Sequence, residues 1–569
     1  MAAAPRGKFW LWVSFAVAGW LAFVMSLEAR NPRLIASWHG FLHTAIVNRF
    51  PSPSWTPENP FFAGEPLRYY WVYHRIGAGL GGILGMDPLS ALRLLALVGL
   101  VLLVVTAALL GRRLYGTTGA GILIGALALI GLNPLGPGIA VARHFSKGVT
   151  LFEQEVSGRA VETTFVSNEL ADQLMSRKLL PSMYFSTDWR QGQNVVWFFD
   201  ISSRGPALGV LMTLLLVLLR PAHRWPHLAG VTLLAALLAA LNPIVGLAVA
   251  GGFGFSYLVL DWRTRATGVQ PGFPHLPVVI ALGIGILLAA PTFLQLFGPG
   301  GSSTSINPPG MIVLKLINMA VNFSVIAILV LLALRTSLGD LGVSIRAAVI
   351  TAALLLLAVA LVHLEEGNEH NLTNAALVVL AIPAAAALML ERNGQPRPPA
   401  AATRRLWITG LLFVPVTVCT WLAFDGRPPI PFSTDKGYLA RVPESDPLAG
   451  LYQWIEQRTA KNAVFIVNPE RPVKMSGNVS ELPAFTGRTL FIDQPSYLTT
   501  VYADATMRAA LAGRLLEGAE ASGEERGYLE RLKRPLYIIS YQPEQVANLT
   551  ARYGNPAFQR DFVAVFAWK

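Results

Sequence analysis

Cysteine occurs once in 569 residues, as Cys419. A single thiol excludes an intramolecular disulfide and a cysteine-built zinc site. Charge is also scarce: 14% of residues are Asp, Glu, Lys or Arg against 53% hydrophobic, with a mean hydropathy of +0.48. That is more apolar surface than a soluble core can bury. The apolar runs 228–260, 276–297, 373–390 and 406–424 hold no charged residue. This weighs against an ion-coupled carrier, because carriers place ionisable groups near mid-membrane and break their helices there. No aspartate occurs between Met1 and Met86, and no repeat of solenoid period is visible.

What is there is a succession of apolar runs of about 17–25 residues, the length that crosses hydrocarbon as a helix. The net charge of +12 would suit a nucleic-acid binder if it lay on one stripe. The arginines instead punctuate every second loop, which is an orientation signal with lipid headgroup contact, so membrane lipids are expected partners and nucleic acid is not. With Arg6 and Lys8 in the cytoplasm, the runs 9–27, 89–111, 118–135, 205–219, 228–241, 245–260, 276–297, 311–334, 347–362, 373–390 and 406–424 read as about eleven transmembrane helices. Arg112, Arg113, Arg263, Arg265, Arg404 and Arg405 then fall on the N-terminal side. The first run is long and lacks a small-residue cleavage site before Glu28, so it reads as an uncleaved span. Tyr69 to Met86 has to be an interfacial or re-entrant helix, since one more span would put the later arginine clusters outside.

From Asp425 the composition becomes that of a soluble domain. Strands are expected near 463–467, 489–492, 536–540 and 562–567, and helices near 447–459, 502–518, 523–532 and 543–552. The expected architecture is a polytopic α-helical membrane protein of the plasma membrane. Its transmembrane domain covers 1–424, with outer loops 28–87 and 136–204. A small soluble α/β domain, 425–569, lies on the non-cytoplasmic side.

Polar residues that the topology does not need gather in three outer segments. In the first, helical spacing puts His39 and His43 on one face. The stretch FFAGEPLRYYWVYHR, 61–75, then joins Glu65 to Arg68, Tyr69, Tyr70, Trp71, His74 and Arg75, a short way after Glu58. A carboxylate for a hydroxyl proton, aromatic faces for a ring and cations for a phosphate are what sugar transfer needs. An aromatic belt with headgroup-contacting arginines is the plainer account. The second segment, 136–204, carries Arg143, Lys147 and Arg190 and suits a lid or a phosphate-binding element. The third, 363–371, sets Glu365, Glu366, Glu369 and His370 at the mouth of the bundle, where ionisable groups are costly; a hydrophilic tight turn is the alternative. His39 and His43 also have the spacing of two metal ligands, with Glu58, Glu65 or His370 to complete a set, although interfacial histidines are commoner than metal sites. The glycines of 77–82 echo a dinucleotide loop, lack its strand and acid, and read as helix packing.

The order of a first span, an outer loop with HGFLH, then ENPFFAGEPLRYYWVYH, a helix ending in GRRLYG and a tail opening on WIEQRTAKNAVFIV resembles the GT-C superfamily of membrane glycosyltransferases. Its relatives include protein mannosyltransferases and the aminoarabinose transferases of lipid A. The resemblance implies a glycosyltransferase that moves a sugar from a polyprenyl-phosphate donor to an acceptor glycan, lipid or protein outside the cytoplasm. It also implies an acidic base in the first outer loop. Where related sequences carry an aspartate, this chain has His39, so the base expected here is Glu65, then Glu58, with His39 and His43 behind them. Arg68, Arg75, Arg143 and Lys147 are the expected phosphate ligands, and Glu366 and Glu369 position the acceptor or a divalent metal. Tyr69, Tyr70, His74, Arg190, Glu365 and His370 complete the substrate-binding set. The missing aspartate leaves a catalytically inactive, lipid-sugar-binding scaffold as the alternative, with a secondary transporter behind it.

Overall fold

The computed structural model describes residues 6–30, 40–50, 56–133, 150–156, 159–165, 194–198, 201–219, 224–268, 272–297, 304–335, 342–364, 368–391, 393–423, 433–436, 439–441, 447–469, 480–493 and 501–568. The helical part comprises α1 (Arg6–Arg30), α2 (Gly40–Val47), α3 (Val72–Leu84), α4 (Pro88–Tyr115), α5 (Thr118–Ile130), α6 (Arg204–Leu218) and α7 (Trp225–Leu241). It continues with α8 (Pro243–Ala266), α9 (Leu276–Ala289), α10 (Pro309–Asn322), α11 (Ser324–Leu334), α12 (Gly342–Leu361), α13 (His370–Met389) and α14 (Pro399–Ala423). Short antiparallel ribbons join β1 (Thr150–Val156) to β2 (Arg159–Phe165), β3 (Thr304–Ile306) to β4 (Val362–Leu364), and β5 (Ser433–Lys436) to β6 (Leu439–Arg441).

Among the described residues, α1, α4, α8, α12 and α13 are long and apolar enough to cross a membrane, and five shorter apolar helices run beside them. The helix α13 is the buried axis, packed on by α5, α6, α8, α11 and α12. Neighbouring helices touch backbone to backbone where glycines allow it. A Cβ on Gly121 of α5 would stand 2.3 Å from the Ala108 Cα of α4, and one on Gly209 of α6 would stand 2.5 Å from the Gly99 carbonyl oxygen, the small-residue packing that membrane helices favour. The ends are set by sequence. Asp87 caps α4 by accepting from the Ser90 N–H at 2.9 Å, and Arg112 and Arg113 close its last turn, each charge favouring the helix dipole.

Two expected spans differ in the structure. The run 276–297 stops as an α-helix at Ala289 and continues as 3-10 turns over Ala290–Thr292 and Leu294–Phe297, because Pro291 has no N–H to continue the ladder. The run 311–334 is two helices, α10 and α11, meeting at Phe323. Here α10 carries the buried polar residues Lys315 and Asn322, bonded to Glu369 and Asn133, whereas α11, apolar after Ser324, packs along α13.

The C-terminal part has α15 (Pro447–Arg458), β7 (Val464–Ile466), α16 (Leu482–Thr486), β8 (Thr489–Leu490), α17 (Ala505–Leu516), α18 (Gly523–Arg531), β9 (Leu536–Ser540), α19 (Pro543–Tyr553), β10 (Phe558–Arg560) and β11 (Val563–Ala567). The five strands form one mixed sheet in the order β10-β11-β9-β7-β8, with β7 parallel to both its neighbours. Alternation along the strands sends Val464, Ile466, Ile538 and Phe566 to one face, under Leu511, Leu515, Leu529 and Leu549 of the helices. Phe465, Ile539, Val563 and Val565 point to the other. That second face is covered by Leu448, Leu451 and Ile455 of α15 and by the first loop, through Phe41, Leu42, Ile46, Phe61, Leu67 and Trp71.

The same loop meets the sheet edge. Leu490 N–H donates to the Pro60 carbonyl, Ala63 N–H to the Leu490 carbonyl and Asp493 N–H to the Phe61 carbonyl, at 2.9, 2.9 and 3.1 Å, so a turn of the first loop covers the polar edge of β8. Arg508, 2% exposed, pins the join. It donates to the carbonyls of Ala63 and Phe491 at 2.6 and 3.1 Å and lies 3.9 Å over the Phe62 ring. An Arg508→Ala variant leaves those buried acceptors unmatched and is expected to cost about 3–5 kcal/mol. Thermal melting should show a lower first transition, and limited proteolysis should open the chain near Phe62; unchanged melting and cleavage would contradict the role given to Arg508.

Candidate functional site

The sequence-predicted residues fall into separate neighbourhoods. Glu58 lies in the join between the first loop and the C-terminal sheet: its carboxylate takes Arg49 and Arg534, and accepts the Gly64 N–H at 2.7 Å. Arg68 lies in the same seam. Its backbone N–H donates to the Tyr502 hydroxyl, its guanidinium donates to the Val501 carbonyl at 2.9 Å, and it stands 4.9 Å over the Tyr502 ring. Glu65, half-buried, is close enough to Tyr502 to act on it electrostatically, and its carbonyl accepts the Asn59 N–H. Glu65 and Arg68 thus come together at Tyr502, whereas Glu369 stands with α10.

A second neighbourhood is an aromatic nest between α2 and α3. His43 Nδ1 and His74 Nε2 are 2.7 Å apart, both side chains buried. Tyr73 meets the His43 ring edge-on at 5.5 Å, and Tyr69 stacks on Tyr70 with their hydroxyls 2.7 Å apart. Arg75, exposed, lies 5.8 Å over Trp71 and borders an open groove of about 520 Å³ floored by Gly77, Gly79, Gly81 and Gly82.

The third neighbourhood lies where the C-terminal end of α1 meets the N-terminal ends of α4, α6 and α13. Glu28 and Arg93, 5% and 0% exposed, form an ion pair, and Arg93 also donates to the Phe198 carbonyl. Phe198 closes a buried 3-10 turn, Asn194–Phe198, wedged among α4, α5 and α6. The sequence showed this stretch only as part of the outer segment 136–204. Asn194 locks the turn by donating to the carbonyls of Ala128 and Asn374 at 2.9 and 3.0 Å. Trp197 stacks on His370 at 5.6 Å and carries the Arg204 guanidinium 4.4 Å over its ring. Beside His370, Glu369 accepts from Lys315 Nζ at 2.8 Å and from the Leu364 N–H at 3.2 Å, with His363 Nδ1 at 3.6 Å. The Lys315–Glu369 pair is buried on both sides.

Five buried polar atoms at this junction, Asn194 Oδ1, Trp197 Nε1, Ser203 Oγ, Thr373 Oγ1 and Asn374 Nδ2, have no hydrogen-bond partner among the described residues. Buried polar atoms are nearly always satisfied, so these five mark a place where, among the described residues, polar groups remain open to a further partner. Charged groups reach it by separate contacts: Glu28 and Arg93 through Phe198, Arg204 over Trp197, and Lys315 with Glu369 beside His370. Chemically, this set can hold an anion and accept a proton.

His39, Arg143, Lys147, Arg190, Glu365 and Glu366 lie outside the described residues. No three His, Cys, Asp or Glu side chains gather as a metal-ligand set among the described residues. Of the proposed ligands, His43 meets His74, Glu58 meets two arginines and His370 meets Trp197. Sequence reading missed Glu28, Arg93, Arg204, Lys315 and the 194–198 turn as a group. Arg93 and Lys315 had a legible signal, since each interrupts an apolar run at a point where orientation does not need a charge.

No protein-family model matches the sequence, and no curated protein matches it significantly. Crystal structures of ArnT from Cupriavidus metallidurans are similar along nearly the whole chain. The apo structure has a TM-score of 0.52 at 12% identity, covering 98% of this chain and 97% of that one. The structure bound to undecaprenyl phosphate has a TM-score of 0.52 at 13% identity, covering 98% of each. The chain has a GT-C-like fold. With its apolar helices, it is a multi-pass membrane protein. The arabinofuranosyltransferase AftD from Mycobacteria also aligns, over 100% of this chain and 40% of its own, at a TM-score of 0.49 and 15% identity.

In this GT-C-like chain the His43–His74 contact belongs to the first loop, outside the long spanning helices. Burial pushes the His74 pKa down to about 3, against hydrogen bonding to the Tyr70 and Trp71 backbone carbonyls, which works the other way. A histidine kept neutral by the fold stabilises it fully above its unfolded value and loses that contribution as pH falls toward the folded one. Melting temperature should therefore drop between about pH 6.5 and pH 3, with a slope of at most about 1.4 kcal/mol per pH unit from this group. His74→Gln should flatten that slope; a variant with the same acid profile as the parent would show that His74 is not its source.

Proposed function

We propose that the chain is a membrane glycosyltransferase that moves a sugar from a polyprenyl-phosphate-linked donor to an acceptor hydroxyl on the non-cytoplasmic face. The observation that carries this reading is the buried Glu28–Arg93 pair beneath the 194–198 turn, ringed by unmatched polar atoms. A GT-C-like fold shared end to end with an ArnT crystallised with undecaprenyl phosphate supports the donor class. The helix ends support this sidedness. Arg113 at the far end of α4 donates to the Leu216 carbonyl of α6, and Tyr257 of α8 reaches Leu218 beside it. Arg112, Arg113, Arg263 and Arg265 therefore share the face opposite Glu28, and arginine-rich short loops favour the cytoplasm.

In this mechanism the acceptor oxygen attacks the anomeric carbon while Glu28 takes its proton. The bond from that carbon to the phosphate oxygen breaks, and the polyprenyl phosphate leaves with the electron pair. Arg93, Arg204 and Lys315 meet the phosphate charge as it develops. Arg93 also fixes the direction of the Glu28 carboxylate, and Glu369 holds Lys315 in place. Glu65, half-buried beside Tyr502, is the competing base.

Purified protein with labelled polyprenyl-phosphate sugar and acceptor tests this. Glu28→Gln is expected to lower kcat by about 10²–10⁴-fold while donor binding persists, and Glu65→Gln should stay near the parent. Loss of transfer in Glu65→Gln alone would return the role to Glu65. Donor binding without turnover in the parent protein would leave the scaffold reading instead.

A further inference from the structure

The C-terminal part holds a hollow that neither the seam nor the proposed transfer site uses. About 340 Å³ in volume, it is lined by Ala521, Arg526, Arg552, Tyr553, Gly554 and Trp568, within the range of small-molecule sites. Its walls are placed by the fold. Trp568 follows β11 and is tied down by its backbone N–H, which donates to the Leu536 carbonyl at 3.0 Å. Arg526, on α18, stands 5.7 Å over the Trp568 ring, a contact that orients a guanidinium in advance of any ligand. At the end of α19, Arg552 pairs with Glu520 at 2.6 Å and shares a hydrogen bond with the Tyr553 hydroxyl. Gly554, at φ +82°, turns the chain away, with open space where a Cβ would stand.

We infer that this hollow is a second, non-catalytic carbohydrate site, for a sugar bearing one carboxylate or phosphate group. Two arginines against one glutamate leave a net positive charge, which draws an anionic group. The forked guanidinium groups suit a carboxylate or phosphate bidentately. Glu520, paired with Arg552, keeps carboxylate lone pairs that can accept hydrogen bonds from ring hydroxyls. The Trp568 indole gives the apolar wall that a bare anion has no use for. Such a site would hold a charged glycan on the same unit that packs against the first loop.

The test measures binding with no lipid donor present, so its outcome is separate from the role given to Glu28. Full-length protein in detergent is titrated with glucuronate, glucose 6-phosphate, glucose and inorganic phosphate, followed by ligand-observed saturation-transfer NMR. At least one of the two charged sugars should bind saturably, with glucose and inorganic phosphate each weaker by about tenfold or more. Arg526→Ala should weaken the charged sugar by a similar factor with an unchanged melting curve, since that side chain is exposed. Arg552→Ala repeats the measurement from the other wall if the first variant is destabilised. Equal binding of glucose and the charged sugars, equal binding of inorganic phosphate and glucose 6-phosphate, or parental binding in both arginine variants would each overturn the assignment.

Discussion

The C-terminal sheet is completed by a piece of chain more than four hundred residues away, and the placement of the other elements depends on that closure. Residues 60–63 cover the β8 edge, Arg508 stitches the join from below, and Glu58 bridges Arg49 and Arg534. Asn48, just past α2, donates to the carbonyls of Pro483 and Ala484. An unpaired strand edge and an uncovered apolar face are both liabilities, and one loop removes both. Because α2 and α3 also pack on α4, the loop is held between the bundle and the sheet. The end of α1, where Glu28 sits, is thereby kept beside α4 and the 194–198 turn.

Charges taken out of water are expensive, and removing one partner of a buried pair costs about 3–5 kcal/mol. This chain spends few charges, yet buries Glu28 with Arg93 and Lys315 with Glu369 at one end of its helices. On energetic grounds alone, apolar residues of similar volume would serve a bundle as well. Their retention, together with unmatched polar atoms on Asn194, Trp197, Ser203, Thr373 and Asn374, is understandable if that end of the bundle handles a polar, charged molecule. The opposite face shows a different use of charge: Asp261 accepts from the His275 N–H and ring, and Tyr257 stacks on that ring at 4.6 Å, a closed clasp with every group engaged.

Most of the secondary structure could be read from hydrophobic runs and turn residues, because a lipid-facing helix and a half-buried strand leave strong periodic signals. The helices over 88–115 and 370–389, and the strands at 464–466 and 536–540, follow those signals closely. The break at Phe323 was hidden, since hydropathy averages over Lys315 and Asn322 and does not reveal what they face. The β3–β4 ribbon was hidden for a related reason: its pairing joins segments 58 residues apart. At the site, the chemistry of the 58–75 cluster was legible, but its partners were not. Arg534 and Tyr502, which engage Glu58 and Arg68, belong to the far end of the chain. Glu28 looked like the polar end of a span, and its meaning comes only from Arg93, 65 positions on.

The cover supplied by residues 60–63 also fixes an order of events during synthesis. The early loop must wait through the synthesis of every later helix before the sheet that needs it has been made. A ribosome that stops early therefore leaves an apolar ribbon uncovered. Completion of the last strands hides that ribbon, so the finished state of the carboxyl terminus is registered at the amino-terminal end of the same molecule.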